Sequence, residues 1–305
     1  MKTFPNVSFL ASASLDQVIK AWEGLGYYTR CKNLLHTARF IDQKYAGKFP
    51  SAYEDIISLK GVGPYTAAAI ASFCFNLPYA VVDGNVFRIL SRVFGITTPV
   101  DSTEGKKQFQ VTAEKALDHQ APGLYNQAIM DFGATVCKPM LPLCSTCTLN
   151  KICIAYKTAV VNKLPAKEKV LKKKNRWFTY IIFHVNDKVL VFKRTAKDIW
   201  QNLFEFYLVE TDANPEWVST SVADFLQTQI GLNHFEVAQI STAAPQLLTH
   251  QNIKGYFITV KLKKVPQQLA SGGSLWLSQT QIAELAFPAF INQYLQNKNI
   301  QATLF

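Results

Sequence analysis

Apolar residues recur at helical spacing along the first half of the chain. A capping-box pair, Ser14 and Gln17, precedes the first such run, so a helix is predicted to begin at residue 14. The apolar positions of this run are Leu15, Val18, Ile19 and Trp22. Further helices are predicted at residues 31–45, 52–59, 64–75, 85–94, 103–118 and 123–136. The pattern indicates a mainly α-helical domain, which we expect to cover residues 1–161.

The pattern changes after residue 177, where β-branched and aromatic residues replace the helical spacing. Two such runs, residues 178–185 and 188–193, flank a turn at Asn186-Asp187 and predict a β-hairpin. The remaining predicted elements are a strand at 252–262 and helices at 218–230 and 279–296. Together they predict an α+β domain over residues 177–305.

The segment 162–176 between these regions is predicted to be a linker, because it contains Pro165 and is dominated by one sign of charge. Its basic residues are Lys163, Lys167, Lys169, Lys172, Lys173, Lys174 and Arg176, against one acid, Glu168. Such a segment is a solvated tether, a contact for phosphates, or both at once. The whole chain has 32 Lys plus Arg against 21 Asp plus Glu, a formal net charge of +11, which points to a polyanionic partner.

Four cysteines lie close together in the sequence, with the spacing Cys137-x6-Cys144-x2-Cys147-x5-Cys153. Four thiolates hold either a structural zinc ion or an iron-sulfur cluster. Zinc sites usually contain two short C-x2-4-C pairs, whereas here the outer cysteines stand alone, so the spacing favours a 4Fe-4S cluster in the loop 137–153. A disulfide knot would require an oxidising compartment. Cys31 and Cys74 fall in helical patterns and are predicted to be buried.

Two polar features stand at predicted helix starts. Gly61-Val62-Gly63-Pro64 joins two helices by a tight turn, whose amides and following helix start could bind a phosphate or simply form a turn. Asp83 comes directly before the helix that begins near Asn85. On composition alone, Asp83 is predicted to be a helix N-cap.

In this order, the helix-hairpin-helix, the segment Asp83-Gly84-Asn85-Val86 and the cysteine loop resemble the endonuclease III superfamily of DNA glycosylases. The segment 22–30, Trp-Glu-Gly-Leu-Gly-Tyr-Tyr-Thr-Arg, is similar to the A/G-specific adenine glycosylase branch, which removes adenine mispaired with 8-oxoguanine. That branch carries a C-terminal Nudix-like domain that recognises 8-oxoguanine. The resemblance therefore implies a helix-hairpin-helix glycosylase domain followed by a Nudix-like domain, which here lacks the Nudix hydrolase signature.

The resemblance implies roles for individual residues. Asp83 matches the catalytic aspartate, whose charge stabilises an oxocarbenium-like sugar. Tyr65 stands where lyase relatives have a nucleophilic lysine, and since tyrosine forms no Schiff base, a monofunctional DNA N-glycosylase is implied. The other implied DNA contacts are the wedge residues Leu25 and Tyr27, the 8-oxoguanine contacts Thr249 and His250, and Gly61, Val62, Gly63 and Asn85.

The chain departs from the family pattern at its start. Met1–Val7 aligns with an internal segment, so the helices that usually carry a general-acid Glu are expected to be missing, whether through a mis-assigned start, an engineered fragment or a natural truncation. We favour the first, because every downstream functional position is present. Glu23 and Glu54 do not match that motif and are predicted to be solvated.

The leading hypothesis is an enzyme that hydrolyses the N-glycosidic bond of a flipped adenine in duplex DNA with A:8-oxoguanine or A:G mispairs. The alternatives are a catalytically impaired fragment that binds lesion DNA, and a bifunctional glycosylase-lyase, against which Tyr65 argues. Met1–Pro5 carry no apolar signal region, and no run of about 18 apolar residues occurs to span a membrane. We expect a monomer without a membrane partner, cytoplasmic and associated with the nucleoid.

Overall fold

The computed structural model of this chain describes residues 2–168, 173–270 and 272–296. The chain forms two compact units. One unit combines Met1–Arg39 with Leu171–Phe305, and the other consists of Phe40–Val170. No helix among the described residues is long and apolar enough to cross a bilayer.

The helices of the first half follow the predicted pattern closely. They are α1 (Val7–Ser12), α2 (Leu15–Ala21), α3 (Tyr28–Tyr45), α4 (Tyr53–Ser58), α5 (Pro64–Phe75), α6 (Gly84–Phe94), α7 (Thr103–Ala116), α8 (Pro122–Thr135) and α9 (Ile154–Lys157). The capping box of Ser14 and Gln17 forms as predicted. The helix α1 was not predicted, because its six residues are too few to show a period.

Small residues set the helix packing in the unit Phe40–Val170. Ala67 and Ala71 of α5 are fully buried against Ile56 of α4. Gly133 of α8 lies so close to α6 that a Cβ atom there would be 2.6 Å from the Cβ of Asn85. This close approach places the start of α6 directly against α8.

A mixed β-sheet forms the core of the other unit. Its strands are β1 (Lys174–Val185), β2 (Lys188–Lys193), β3 (Phe204–Glu205), β4 (Tyr207–Thr211), β5 (Glu236–Thr242), β6 (Gln246–Leu247), β7 (Gln251–Leu262) and β8 (Leu275–Ser278). The central strand β1 runs parallel to β7 along its whole length and antiparallel to β4. A strand that is buried on both faces has a nearly continuous run of apolar residues in its sequence, which explains the composition of residues 178–185.

Helices cover both faces of this sheet. Alternate residues of β1, Phe178, Tyr180 and Ile182, share a core cluster with α12 (Ala289–Leu295) and α11 (Gln279–Ala283). The intervening residues, Ile181, Phe183 and Val185, share a second cluster with α10 (Ser219–Thr228). The period of two therefore divides the core between the two faces.

The N-terminal helices belong to the same compact unit as this sheet. Ile19 of α2 and Cys31 of α3 are buried in one cluster with Leu203 and Ala286. Cys31 is thus buried as predicted, whereas the prediction for Cys74 was wrong, because the last turn of α5 leaves Cys74 exposed.

Three further features differ from the predictions. The predicted helix 279–296 is interrupted between α11 and α12 by Pro288, which disfavours helical geometry in the residue before it. The predicted turn at Asn186-Asp187 joins β1 to β2, but these strands share only two paired positions in sheet register. Residues Lys174–Arg176, predicted within the linker, are the start of β1. Lys169 and Lys172 lie outside the described residues.

Candidate active site, cysteine loop and exposed turns

Asp83 is the N-cap of α6, and its carboxylate is held by three donors. Oδ1 accepts hydrogen bonds from the backbone N–H groups of Asn85 and Val86, each at 2.8 Å. Oδ2 accepts one from the Asn85 side-chain amide at 2.9 Å. The positive end of the helix dipole adds a favourable interaction with this negative charge. The N-cap prediction is confirmed, and the same geometry fixes the orientation of the carboxylate.

Behind Asp83, hydrogen bonds lead through Asn85 to the buried guanidinium of Arg88. The Arg88 Nη2 donates to the Asn85 Oδ1 and to the Gly133 carbonyl, both at 2.7 Å. The Arg88 Nε donates to the Cys137 carbonyl at 2.7 Å. Burial lowers the pKa of Arg88, an effect that Cys137 and Asp83 oppose and Arg92 reinforces. Both ends of the Asn85 amide are engaged inside the protein, where they orient Asp83, and its contact with DNA stays a prediction.

Arg92, one turn further along α6, holds the cysteine loop. Its guanidinium is 2% exposed and donates to the Cys137 Sγ at 3.4 Å and to the Lys138 carbonyl at 2.9 Å. It also donates to the Val161 and Leu164 carbonyls, each at 3.1 Å. Arg88 and Arg92 therefore attach both sides of the loop to the helix that Asp83 caps.

The four predicted ligand cysteines line one cavity of this unit. Its walls also include Arg92 and the apolar side chains of Phe132, Val136, Leu143 and Leu149. Each of the four thiols is half-buried and free of disulfide bonds. Burial raises the pKa of Cys144, and the thiols of Cys137, Cys153 and Cys147 raise it further, whereas Arg92 lowers it. Within the described residues, no group of three or more His, Cys, Asp or Glu side chains converges as the ligands of a single metal ion would.

The predicted hairpin between α4 and α5 is formed and exposed. The Val62 N–H donates to the Leu59 carbonyl at 3.0 Å, and Gly61 has a φ of +83°, which favours glycine. Gly63 caps α5, and a Cβ atom there would meet nothing within 4 Å. Tyr65 lies in the first turn of α5 and is 46% exposed.

In the other unit, the segment Trp22–Tyr28 forms a turn that presents two large apolar side chains. Leu25 and Tyr27 are 62% and 69% exposed, and Tyr27 adopts a positive φ of 48°. The Trp22 indole N–H donates to the Gly26 carbonyl at 2.9 Å across this turn. The Arg30 guanidinium lies over the Tyr27 ring at 5.4 Å from its centroid. We call this segment the wedge loop.

The wedge loop contacts the segment 248–250, which also carries predicted site residues. The hydroxyl oxygens of Tyr27 and Thr249 lie 3.1 Å apart, in hydrogen-bond contact. Thr249 and His250 are exposed, and the Leu248 N–H donates to the Gln251 carbonyl at 2.8 Å to close this turn. The structure thus brings together two site segments that are 222 residues apart in sequence.

The prediction that Glu23 is solvated was wrong, whereas Glu54 is exposed as predicted. The Glu23 Oε1 accepts from the Phe287 N–H and from the Asn292 side-chain amide, both at 2.9 Å, and Oε2 accepts from Lys20 at 2.8 Å. Burial acts to raise the pKa of Glu23, but these hydrogen bonds and Lys20 outweigh it and lower the pKa overall. The sequence carries no local signal for these contacts, since two of the partners lie more than 260 residues away.

Arg176 also differs from its sequence interpretation as a linker base. Its buried guanidinium pairs with Asp198 at 2.7 Å and with Glu210 at 2.6 Å. The hydrogen bonds that Arg176 donates to Glu210 and Asp198 raise the pKa of Arg176. The neighbouring Arg194 pairs with Asp198 and Glu205 in the same network. Arg176 therefore stabilises the β-sheet domain and is not available to contact phosphates.

Family models match both regions of the chain. Residues 1–115 match the HhH-GPD superfamily of base excision DNA repair proteins, and residues 178–297 match the NUDIX domain. The adenine DNA glycosylase of Buchnera aphidicola subsp. Schizaphis graminum is 36% identical over 218 residues, which are 70% of this chain and 62% of that protein. The adenine DNA glycosylase of Homo sapiens is 44% identical over 156 residues, 51% of this chain and 29% of that protein.

The chain spans less than two thirds of the length of the curated relatives it matches, with 62%, 58% and 58% for three Buchnera proteins. Among solved structures, a thermostable thymine-DNA glycosylase is 27% identical, with a TM-score of 0.48 over 52% of this chain and 72% of that chain.

The cap geometry predicts how substitutions at Asp83 affect stability. Asp83→Asn keeps an oxygen for the backbone donors, but its NH2 group would face the NH2 group of Asn85, and two donors cannot form a hydrogen bond. The substitution should therefore lower the free energy of unfolding by about 1 kcal/mol. Asp83→Ala also removes the backbone cap and should cost about 2 kcal/mol. Urea unfolding at neutral pH measures both. Equal stability of the two variants would contradict the cap.

Proposed function

The chain is a homologue of the adenine DNA glycosylases, and we propose that it takes part in base excision repair by removing adenine mispaired with 8-oxoguanine or guanine in duplex DNA. The bond broken is the N-glycosidic bond of an adenine nucleotide flipped out of the duplex. The observation that carries this proposal is the Asp83 carboxylate, oriented by three donors at the start of α6.

Asp83 supplies the electrostatic part of the reaction. As adenine departs, positive charge develops on the deoxyribose, and a fixed anion stabilises that charge more than it stabilises the neutral substrate. The Asp83 carboxylate is pre-oriented, so little reorganisation is required when the charge forms. Among the described residues, Oδ2 accepts one hydrogen bond, from Asn85, and it retains acceptor capacity toward the sugar.

The position of Tyr65 supports hydrolysis without strand cleavage. A lyase step requires an amine that attacks the sugar carbon and forms a Schiff base, and a phenol cannot do so. Tyr65 is exposed in the first turn of α5, beside the hairpin Gly61–Gly63. We propose that this hairpin binds one DNA phosphate through its amides and that Tyr65 faces the same strand.

The wedge loop and the segment 248–250 supply the contacts to the opposite base. Leu25 and Tyr27 are large, exposed and held on a stiff turn, which suits side chains that enter a base stack next to a lesion. Thr249 and His250 are exposed polar side chains beside Tyr27. We propose that these residues contact 8-oxoguanine, while the excised adenine belongs to the site of Asp83.

We propose that Cys137, Cys144, Cys147 and Cys153 hold a 4Fe-4S cluster. Four thiols around one cavity suit a cluster with one cysteine for each iron. The buried Arg92 guanidinium offsets part of the negative charge of four thiolates. Such a cluster, when bound, cross-links the loop. A structural role is sufficient, because hydrolysis of a glycosidic bond needs no electron transfer.

The catalytic role of Asp83 predicts a specific loss of activity. Asp83→Asn removes the charge while retaining most of the cap, so single-turnover release of adenine opposite 8-oxoguanine should fall at least about a hundredfold. Binding of the same duplex should change less than about threefold. Glu54→Gln, which alters an exposed carboxylate of α4, is the matched control and should keep the wild-type rate. Release of adenine by Asp83→Asn at the wild-type rate would contradict the proposal.

The hairpin predicts a change in DNA binding that is uniform across sequences. Gly63→Ala adds a methyl group into open space, so stability should change by less than about 1 kcal/mol, while the methyl group blocks phosphate approach. Affinity should fall about fivefold to tenfold for lesion and undamaged duplexes alike. Thr103→Ala, at the exposed start of α7, is the control, and fluorescence anisotropy measures both variants. Unchanged affinity of Gly63→Ala would argue against a phosphate at the hairpin.

The cluster predicts the metal content of the protein. Anaerobically purified chain should contain about four iron atoms per molecule and show the broad visible absorption of an iron-sulfur cluster. Cys147→Ser should lower both iron content and thermal stability. Cys74→Ser, which alters an exposed cysteine outside the loop, should leave both unchanged. Stoichiometric zinc without iron would refute the assignment.

A further inference from the structure

The wedge loop and the segment 248–250 are parts of one compact unit, although the chain enters the first before residue 30 and the second after residue 247. One contact between them joins the hydroxyl groups of Tyr27 and Thr249, which lie 3.1 Å apart. One hydrogen bond between exposed side chains contributes only about 1 kcal/mol and cannot by itself position a loop. Other interactions also hold the wedge loop in place, among them the apolar cluster that Trp22 and Tyr28 share with Leu203 and Ala286.

Glu23 provides a directional polar attachment beside that apolar cluster. Its carboxylate accepts two hydrogen bonds from the second region of the chain, one from the backbone N–H of Phe287 and one from the side chain of Asn292 in α12. Lys20 completes the connection, because its ammonium donates to Glu23 and to the Leu285 carbonyl, each at 2.8 Å. The Glu23 side chain is 21% exposed, so these contacts are partly shielded from solvent.

The wedge loop transmits this attachment to Tyr27. Only three residues separate Glu23 from Tyr27, and the Trp22 indole closes the intervening turn through the Gly26 carbonyl. Arg30 lies against both aromatic rings, 5.8 Å from the Trp22 centroid and 5.4 Å from that of Tyr27. These contacts connect Tyr27 to the turn that carries Glu23.

We propose that Glu23 is a positioning residue for lesion recognition, which fastens the wedge loop to α12 so that Tyr27 and Thr249 form one preassembled surface for the base opposite adenine. This inference rests on the proposed function and deepens it. A surface that is assembled before DNA binds loses less conformational freedom on binding. The affinity therefore rises for the base that both side chains contact. Glu23 thereby contributes to the preference for 8-oxoguanine over guanine without touching the DNA.

The test compares two duplexes, with 8-oxoguanine or guanine opposite the same non-cleavable adenine analogue. Glu23→Ala should lower the ratio of the two affinities at least about fivefold, a size typical of coupled contacts, with the guanine duplex bound as before. Glu23→Gln keeps an Oε1 acceptor for Phe287 and Asn292 and should restore the ratio to within about twofold. Asn292→Ala, which removes a donor and leaves Glu23 in place, should also lower the ratio of the two affinities.

Asp16→Ala is the matched control. Asp16 forms an ion pair with Lys193 at 2.6 Å that also joins α2 to the second region, but it lies outside the wedge loop. This variant should keep the wild-type ratio. A general loosening of the contact between the two regions would instead lower the ratio in Asp16→Ala and would overturn a specific role for Glu23.

Two further readouts separate positioning from stability. Hydrogen exchange of a peptide covering residues 22–28, measured without DNA, should accelerate in Glu23→Ala and stay at the wild-type rate in Asp16→Ala. In a Thr249→Val background, which lacks the hydroxyl partner of Tyr27, Glu23→Ala should change the ratio less than it does in the wild type. If the effects of Glu23→Ala and Thr249→Val on the affinity ratio simply add, the two residues are not coupled and the inference is contradicted.

The outcomes distinguish this inference from the proposed function. If the wild-type chain binds both duplexes equally, the proposed lesion specificity fails and the inference fails with it. If the wild type prefers 8-oxoguanine and folded Glu23→Ala keeps both the preference and the slow exchange, the inference alone is overturned. If Glu23→Ala does not fold, Asn292→Ala decides by the same criteria.

Discussion

Two buried guanidinium groups on α6 organise the unit Phe40–Val170. A buried cation is costly unless its donors are satisfied, and Arg88 and Arg92 find their acceptors in the Asn85 side chain, in α8 and in the cysteine loop. Both groups donate to carbonyl groups at the start of that loop, which lies against α6. Because Asp83 caps the same helix, the requirement that stabilises the loop also orients the carboxylate.

In the other unit, a partly buried anion is satisfied by hydrogen bonds in the same way as the two cations of α6. The Glu23 carboxylate is partly buried at the contact between the N-terminal helices and α12, and its acceptors are filled by a backbone N–H, an amide and an ammonium group. Arg176 and Arg194 form a comparable network with three carboxylates in the β-sheet domain. In both units, buried charge specifies which segments meet, while the apolar clusters supply most of the stability.

Local patterns were sufficient to predict most helices and several site residues. The cap at Asp83, the glycine turn before α5 and the four cysteines depend on neighbours in sequence, so their signals are visible in the residues themselves. The grouping of Met1–Arg39 with Leu171–Phe305 and the role of Glu23 depend on partners far away along the chain. The short strands β3 and β6, with two residues each, have no period to detect, and the ion pairs of Arg176 could not be distinguished from a basic linker.

The central claim is that Asp83 acts on the deoxyribose of a flipped adenine, while the wedge loop and Thr249 face the opposite base. The most direct test is a crystal structure of this chain with a duplex that carries 8-oxoguanine opposite a non-cleavable adenine analogue. The account predicts the Asp83 carboxylate within about 3.5 Å of the anomeric carbon of the extruded nucleotide, with Tyr27 against 8-oxoguanine. A complex in which the adenine analogue stays stacked in the duplex, or in which Asp83 faces away from its sugar, would contradict it.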